Sequence, residues 1–435
     1  MKKILFIFLI LLTPLSSFGA TREIRDTEIE SVMSDLIRPI EKAAKMPRGR
    51  LRIHILSGSD FNAFVTSGED VYVYAGLIMN LENPNAVQAV VAHEMGHIVG
   101  GHYAGMMARI KTEIVGAIIM QTLGAAVMVA NPEAGMGVMA GAAGVTKQNL
   151  MSFSRDEERL ADATGMKFMK DAGLPLGGFI DMMEIMQGRT QYLESRINTN
   201  DISHPTTTER LMHAKEWVAK NGGRDGALDA DLTRRYLMAR AKLAGYLMPE
   251  RAVRDMYASG KSDPAKYAFA ISALRGNKLN DSLKLAKELS DANKKNPYFY
   301  ELIGDIESQR GNYSDAIKAY EKSLATLGAD SPQISGSMAL AMVERAGKND
   351  ARDAVKILKK ALVSGGGEYP FLYFVLARAY AAVQENGLSD WAMAEYYWAN
   401  DKKKDAKKFA ERAKKKLDAN SPEYKKTEDI LRKND

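Results

Sequence analysis

The feature that most constrains this chain is the pentapeptide His-Glu-Met-Gly-His at residues 93–97. Residues four apart lie on one face of a helix, so His93 and His97 can both reach one metal ion. Glu94 lies one residue round the helix, where its carboxylate can hold a water molecule beside that metal. The apolar run Val87–Val91 leads into the motif, as a helix buried in a core requires. The pattern predicts a buried zinc-binding helix; the alternative is a helix whose two histidines bind no metal.

The absence of cysteine limits which residues can complete such a site. It excludes disulfides, Cys-based zinc fingers, iron–sulfur clusters and thiol nucleophiles, and it leaves His, Asp and Glu as metal ligands. A catalytic zinc site needs three protein ligands and one open position. A third histidine six residues after His97 would supply one, but that position is Tyr103 and His102 comes one residue early. We therefore expect His102 to support the site and a later carboxylate to be the third ligand.

The segment 154–165, with sequence SRDEERLADATG, offers that carboxylate. Glu158 and Asp162 are four residues apart on one helical face. Glu158 can bind zinc while Asp162 accepts the N–H on the far side of a ligating histidine. Spacing alone does not choose Glu158 over Glu157. Taken by itself, the segment could equally be a helix with surface salt bridges.

The N-terminal part of the chain reads as an export signal followed by a small mixed region. Lys2 and Lys3 precede an apolar run and a small-residue stretch suited to cleavage near Gly19 or Ala20, and an uncleaved membrane anchor is the alternative. Apolar spacing predicts a helix over 24–45. Alternation predicts a strand at 51–58, and two further strand-like runs lie between residues 61 and 78.

The segment Ile114–Val145 has Glu133 as its one charged residue and is rich in Gly, Ala and Met. Asn131-Pro132 divides it into two halves, so we interpret it as a helical hairpin. One reading buries this hairpin in the protein. The other places it in peripheral contact with the membrane or a hydrophobic substrate, because so many glycines weaken a soluble helix.

From about residue 250 the sequence becomes helical and repeats. The segments 264–297 and 297–332 align at an offset of 34 residues, which pairs Ala270 with Gly304 and Ala286 with Tyr320. Small residues at these offsets, with a closing proline, resemble the tetratricopeptide repeat. Single helical pairs cannot bury their apolar faces alone, so we expect about four units to stack into an all-α solenoid that binds peptides or proteins.

The net charge is +6, and residues 400–435 hold 13 Lys+Arg against 8 Asp+Glu. A basic helical tail can contact nucleic acid or anionic lipid. No nucleic-acid motif accompanies it, so we interpret the tail as a solvated helix face and expect no nucleic-acid partner.

Together these segments resemble the M48 family of zinc metalloproteases. The resemblance rests on HEMGH at 93–97, on Glu158-x-x-Ala161-Asp162, on NAF at 62–64, on VYVYAGLI at 71–78 and on SHPTTTER at 203–210. It implies an α+β zincin-type domain, mostly helical with a small sheet, which binds one Zn²⁺ per chain.

The resemblance also implies roles for individual residues. Glu158 becomes the third zinc ligand with Asp162 as its partner, and Glu94 the general base. His204 and Arg210 would act near the substrate carbonyl, although His204 could instead be a fourth zinc ligand that holds the enzyme inactive. The strand Val71–Ala75 would pair with an extended substrate.

The predicted organisation is a signal peptide at 1–20, a metalloprotease domain at 21–250 and a tetratricopeptide-repeat domain at 251–435. With the export signal, the resemblance implies a periplasmic endopeptidase that degrades unfolded or misassembled outer-membrane proteins. The repeats would recruit clients or the barrel-assembly machinery of that membrane. Two alternatives stay open: a chaperone or scaffold with little proteolysis, and a membrane-bound M48 enzyme.

Overall fold

The computed structural model describes residues 21–66, 69–109, 111, 128, 155–194, 208–223, 226 and 228–433. The predicted signal peptide, His204 and, apart from Met128, the predicted hairpin at 114–145 lie outside these residues, so those predictions stay predictions. The chain divides into two compact units. The mixed unit contains residues 21–24 and 30–237, and the helical unit contains 25–29 and 238–433.

Where the structure describes it, the first part of the chain combines four short strands with helices. The strands are β1 (Glu23–Ile24), β2 (Arg52–Leu56), β3 (Ala63–Val65) and β4 (Asp70–Tyr74). The helices up to residue 247 are α1 (Thr27–Ala43), α2 (Ala75–Asn80), α3 (Pro84–Val99), α4 (102–109), α5 (Arg155–Asp171), α6 (Gly177–Glu194), α7 (Thr208–Lys220) and α8 (Ala230–Leu247). The predicted combination of many helices and a small sheet is confirmed.

The sheet has the order β1-β2-β4-β3. β2 and β4 run parallel, while β1 and β3 are antiparallel to their neighbours. The prediction that Val71–Ala75 pairs with a substrate is wrong, because β2 and β3 occupy both sides of β4 and Ala75 already begins α2. Among the described residues, β3 forms one edge of the sheet and β1 the other.

Helix α3 runs through the core of the mixed unit. It begins after Asn83, whose side chain accepts a hydrogen bond from the Asn85 N–H, and Pro84 occupies its first turn. These are standard residues for a helix start, because the side chain satisfies an orphan N–H and proline lacks one. Every residue from Pro84 to His97 is buried. The predicted buried helix that carries HEMGH is therefore confirmed.

Helices α3 and α5 approach closely because small residues meet at their crossing. A methyl group built on Gly96 would lie 2.6 Å from the Ala161 carbonyl oxygen, and one on Gly165 would lie 2.9 Å from the Ala92 carbonyl group. Side chains larger than hydrogen at these two positions would push the backbones apart. The contact places the second half of α3 directly beside the first half of α5.

The helical unit continues from α8 with α9 (Glu250–Met256) and five helix pairs, all within residues 250–433. The pairs are α10 (Asp263–Arg275) with α11 (Leu279–Ala292), α12 (Pro297–Gln309) with α13 (Tyr313–Leu327), α14 (Pro332–Arg345) with α15 (Asp350–Val363), α16 (Pro370–Ala382) with α17 (Asn386–Ala399), and α18 (Lys403–Lys414) with α19 (Pro422–Arg432). A 3₁₀ turn at Gly366–Glu368 precedes α16.

The offsets between these pairs agree with a repeat of about 34 residues. Their first helices begin at residues 263, 297, 332, 370 and 403, so successive pairs are offset by 34, 35, 38 and 33 residues. The Tyr320 ring packs against Gly304, the pair that replaces two alanines of the preceding repeat. The prediction of an all-helical C-terminal region is confirmed. Within the described residues, no helix has an apolar stretch long enough to cross a membrane.

His54 connects three strands on one face of the sheet. Its Nδ1 lies 2.8 Å from Glu23 Oε1 on β1, and its Nε2 lies 2.8 Å from Asp70 Oδ1 on β4. Its ring stacks on Tyr72, with the ring centroids 4.7 Å apart. Burial would lower the pKa of His54, but the hydrogen bonds to Asp70 and Glu23 outweigh burial and raise that pKa.

We predict that His54→Gln destabilises the chain in a pH-dependent manner. A histidine whose pKa is raised in the folded state contributes stability below its unfolded pKa and loses it as pH rises through the folded pKa. The free energy of unfolding should fall by about 1 kcal/mol at pH 6, with a smaller loss at pH 9. Urea unfolding at both pH values measures this. His213→Gln, at an exposed position on α7, is the control, and equal losses for His54→Gln at both pH values would contradict the prediction.

We also predict opposite effects of alanine at two helical glycines. Gly165→Ala should lower the free energy of unfolding by about 1–3 kcal/mol, because overpacking at the α3–α5 contact outweighs the better helix propensity. Gly188→Ala on α6 should leave stability unchanged or raise it by up to about 1 kcal/mol, since nothing lies within 4 Å of the added methyl group. Thermal unfolding measures both. A Gly165→Ala protein as stable as Gly188→Ala would show that the close contact is dispensable.

Candidate metal centre

Three buried side chains from α3 and α5 converge on one point. His93 Nε2 and His97 Nε2 are 3.1 Å apart. Glu158 places Oε2 3.5 Å from His93 Nε2 and Oε1 3.5 Å from His97 Nε2. The two histidines come from successive turns of α3, and Glu158 faces them from the first turn of α5. The predicted convergence of these three residues is therefore present in the structure.

The donor atoms of these residues lie at spacings near those of a tetrahedral metal site. Ligand atoms about 2.0–2.2 Å from a tetrahedral zinc ion lie about 3.3–3.6 Å from one another. The histidine nitrogens are 3.1 Å apart, and each lies 3.5 Å from its own oxygen of the Glu158 carboxylate. Two imidazole nitrogens and one carboxylate oxygen form a donor set suited to divalent metals. His93, His97 and Glu158 could therefore hold a metal ion.

Sequence spacing left Glu157 and Glu158 as alternatives, and the structure separates them. The Arg109 guanidinium donates two hydrogen bonds to the Glu157 carboxylate, at 2.9 and 3.0 Å. Glu158 is 2% exposed and faces the histidines. Glu94 is equally buried and follows His93 on α3. Of the two glutamates, Glu158 is the one that joins the histidine pair.

Asp162 supports His93 from behind. Its Oδ1 lies 2.9 Å from His93 Nδ1, on the side of the ring opposite Glu158. A carboxylate in this position favours a proton on Nδ1 and so directs the Nε2 lone pair towards a metal. Burial alone would lower the pKa of His93, but the hydrogen bonds and charges of Asp162 and Glu158 raise it to about 10. A bound cation would replace the proton that these carboxylates favour.

Arg210 on α7 holds both carboxylates. Its Nε and Nη2 donate to the two oxygens of Asp162 at 2.7 and 2.8 Å, and its Nη1 lies 2.8 Å from Glu158 Oε2. All three side chains are buried. Burial would raise the pKa of Asp162, but the hydrogen bonds from His93 and Arg210 hold it below its usual value. Arg210 therefore compensates the negative charge beside the histidines. Whether it also reaches a substrate carbonyl stays a prediction.

His102 contacts the second histidine of the motif. Its Nδ1 lies 3.0 Å from His97 Nδ1, so it supports His97 on the side away from Glu158. A methyl group on Gly100 would lie 2.3 Å from the His102 ring, so only glycine leaves room for this approach. Burial lowers the pKa of His102, which favours its neutral form. The position agrees with the expectation that His102 supports the site.

Sequence reasoning did not foresee the contacts of Arg210 with the carboxylates. Arg210 lies 48 residues after Asp162, on a different helix, and nothing in its local sequence indicates a buried partner. The Arg109–Glu157 pair was missed for the same reason. His204 lies outside the described residues, so its place relative to the site stays a prediction.

Comparison with known proteins agrees with this geometry. Residues 23–218 match peptidase family M48. The chain is 23% identical over 311 residues to the beta-barrel assembly-enhancing protease of Escherichia coli K12, a match that covers 69% of this chain and 62% of that protein. It is 31% identical over 166 residues to the metalloprotease YcaL of the same organism, which covers 37% of this chain and 59% of YcaL.

A more distant match is the mitochondrial metalloendopeptidase OMA1 of Schizosaccharomyces pombe, 24% identical over 186 residues, 43% of this chain and 52% of OMA1. In each case the chain spans less than two thirds of the relative's length. The family match covers all the strands and contains His93, His97, Glu158, Asp162 and Arg210. Residues 23–218 of this chain therefore form a domain of the metallopeptidase family M48.

Proposed function

We propose that this chain is a zinc-dependent endopeptidase whose zinc ligands are His93, His97 and Glu158. The observation that carries the proposal is the buried cluster of their donor atoms, in which the two histidine Nε2 atoms are 3.1 Å apart and each lies 3.5 Å from a different oxygen of the Glu158 carboxylate. Three protein ligands leave one position open for water or substrate, as catalytic zinc sites do. Zinc, when bound, supplies Lewis-acid chemistry: it acidifies water and polarises a carbonyl group.

Glu94 is the general base of the proposed reaction. Its carboxylate follows His93 directly on α3 and is buried. It takes a proton from the attacking water molecule and later delivers that proton to the leaving amine. Without this residue the chain retains its zinc ligands but has no group to move the proton.

Asp162 and Arg210 are positioning residues in this proposal. Asp162 sets the ring orientation and tautomer of His93, and Arg210 fixes Asp162 and Glu158 relative to each other through two hydrogen bonds to Asp162 and an ion pair with Glu158. Such outer contacts hold ligands in the geometry that the metal needs. His204 remains the candidate for stabilising the oxyanion, or for occupying the fourth zinc position in a resting enzyme.

The edge of the sheet offers a place for the substrate backbone. β3 pairs with β4 through alternate residues, as the bonds from the Tyr74 N–H to Asn62 and from the Thr66 N–H to Asp70 indicate. The main-chain groups of Ala63 and Val65 therefore point away from β4. An extended peptide can pair with this edge through main-chain hydrogen bonds. Recognition of main chain favours unfolded or misassembled proteins as substrates.

The proposed location is the periplasm, reached through the predicted signal at residues 1–20. Similarity to a protein named for enhancing beta-barrel assembly supports misassembled outer-membrane proteins as substrates. The helix pairs between residues 263 and 432 have the offsets of tetratricopeptide repeats. We propose that they recruit clients or the barrel-assembly machinery, since stacked repeats form extended binding surfaces.

The first test compares wild type with Glu94→Gln for zinc content and for cleavage of an unfolded outer-membrane barrel protein. Both proteins should bind one zinc ion, and cleavage by the variant should fall by at least about 10²-fold, because its amide cannot accept the proton. Glu184→Gln, an exposed substitution on α6, should cleave like wild type.

Two outcomes would contradict the proposal. If wild type binds no zinc, the proposed metal site is rejected. The helical unit would then be the functional part of a scaffold. If wild type binds zinc but does not cleave the substrate, the cleavage assay is repeated with His204→Ala. A variant that cleaves identifies a self-inhibited enzyme, whereas one that stays inactive rejects the peptidase.

We further predict that Asp162→Asn lowers zinc affinity by about 10–100-fold, the usual loss when an outer partner of a ligating histidine is removed. The amide can still contact His93 but no longer provides the negative charge. Competition with a zinc chelator measures the affinity. Asp171→Asn, an exposed substitution on the same helix, is the control. Equal zinc affinity of Asp162→Asn and wild type would show that Asp162 does not support the site.

A further inference from the structure

A second group of buried charges lies in the helical unit, apart from the metal centre. Lys242 on α8 is 4% exposed. Its Nζ lies 2.7 Å from Asp26 Oδ2, 2.9 Å from Glu301 Oε2 and 3.5 Å from Glu28 Oε2. Asp26 and Glu28 belong to residues 25–29, and Glu301 lies on α12. One lysine thus joins a short N-terminal segment to two helices of the unit.

Residues 25–29 make further specific contacts inside this unit. The Tyr267 hydroxyl donates to Glu28 Oε2 at 2.9 Å. The Thr27 hydroxyl lies 2.7 Å from the Ser331 hydroxyl and donates to Gln333 Oε1 at 3.1 Å. The segment also begins α1, because the Ile29 N–H donates to Asp26 Oδ1. Polar contacts from α8, α10 and the start of α14 therefore hold Asp26, Thr27 and Glu28.

The charges around this segment are unbalanced. Asp305, on the same helix as Glu301, accepts a hydrogen bond from the Tyr320 hydroxyl at 2.7 Å and adds a fourth carboxylate. The titratable and charged groups that act on one another here are Arg25, Asp26, Glu28, Lys242, Tyr246, Tyr267, Tyr298, Glu301, Asp305, Tyr320 and Tyr369. If all four carboxylates were ionised, Lys242 could not compensate them, and buried uncompensated charge is costly.

Protons reduce this imbalance in the folded state. Burial raises the pKa of Glu28 to about 7 and that of Glu301 to about 8, although Lys242 acts in the opposite direction. Burial also raises the pKa of Asp305 to about 6. Each of these groups binds its proton more tightly in the folded cluster than in water. The nearby tyrosines stay neutral because burial raises the pKa of each.

We propose that the cluster around Lys242 is a proton-dependent clasp, which holds residues 25–29 in the helical unit when Glu28 and Glu301 are protonated and weakens as they ionise. A carboxyl group whose pKa is raised in the folded cluster stabilises the held position of residues 25–29 at low pH. This stabilisation is lost as pH rises from the pKa of the group in water to its pKa in the folded cluster. The window is therefore about pH 4.5–8, and it includes neutral pH.

Hydrogen–deuterium exchange of the full chain tests the clasp through a peptide that covers residues 25–33. Exchange of this peptide, corrected for the intrinsic pH dependence of amide exchange, should be at least tenfold faster at pH 8.5 than at pH 6. Peptides from α17 and α18 provide an internal reference, because they lie in the same unit without residues of the cluster and should keep their protection.

Amide substitutions separate the clasp from general pH effects. Glu28→Gln and Glu301→Gln each imitate the protonated side chain, so each should reduce the pH dependence of exchange, and the double variant should reduce it most. Glu288→Gln on α11, at a half-exposed position, should exchange like wild type. The clasp is rejected if wild type is equally protected at both pH values, or if the double variant keeps the wild-type pH dependence. The comparison of wild type at the two pH values can reject the clasp even if a variant fails to fold.

Discussion

The close contact between α3 and α5 is the constraint on which the metal centre depends. All three candidate ligands and Asp162 lie on these two helices, and Gly96 and Gly165 set the distance between the backbones. A third helix, α7, contributes Arg210, which joins the two carboxylates of α5. The geometry of the site is therefore a property of helix packing, and no described loop residue contributes a ligand.

The metal centre and the cluster around Lys242 both contain buried carboxylates, and the negative charge is compensated differently in each. At the metal centre, Asp162 and Glu158 are compensated by Arg210, whose charge does not depend on pH in the physiological range. Around Lys242, three carboxylates lie within 3.5 Å of one lysine, and burial favours protons on Glu28 and Glu301. A buried carboxylate needs either a cation or a proton as its partner.

Much of the fold and site could be predicted because the signals are local. His93 and His97 lie one turn apart on one helix, Glu158 and Asp162 lie one turn apart on another, and the helix pairs recur at offsets of 33–38 residues. The predicted pairing of β4 with a substrate was wrong, because the order of strands in a sheet depends on contacts between distant parts of the chain. The alternation of apolar and polar residues along one strand does not encode that order. The link from Arg210 to Asp162 and the position of residues 25–29 in the helical unit were missed because both depend on contacts distant in sequence.

The edge strand β3 has a consequence for solubility. An unpaired edge that can accept a peptide can also accept the same strand of a neighbouring molecule, and the association of such edges is a common route to aggregation. β3 contains three residues, so it offers few outward main-chain groups, and the opposite edge, β1, contains two. Edges this short are too weak to hold two copies together without further contacts. Among the described residues, the shortness of both edges thus limits edge-to-edge association, while β3 keeps the outward main-chain groups that the proposed substrate would use.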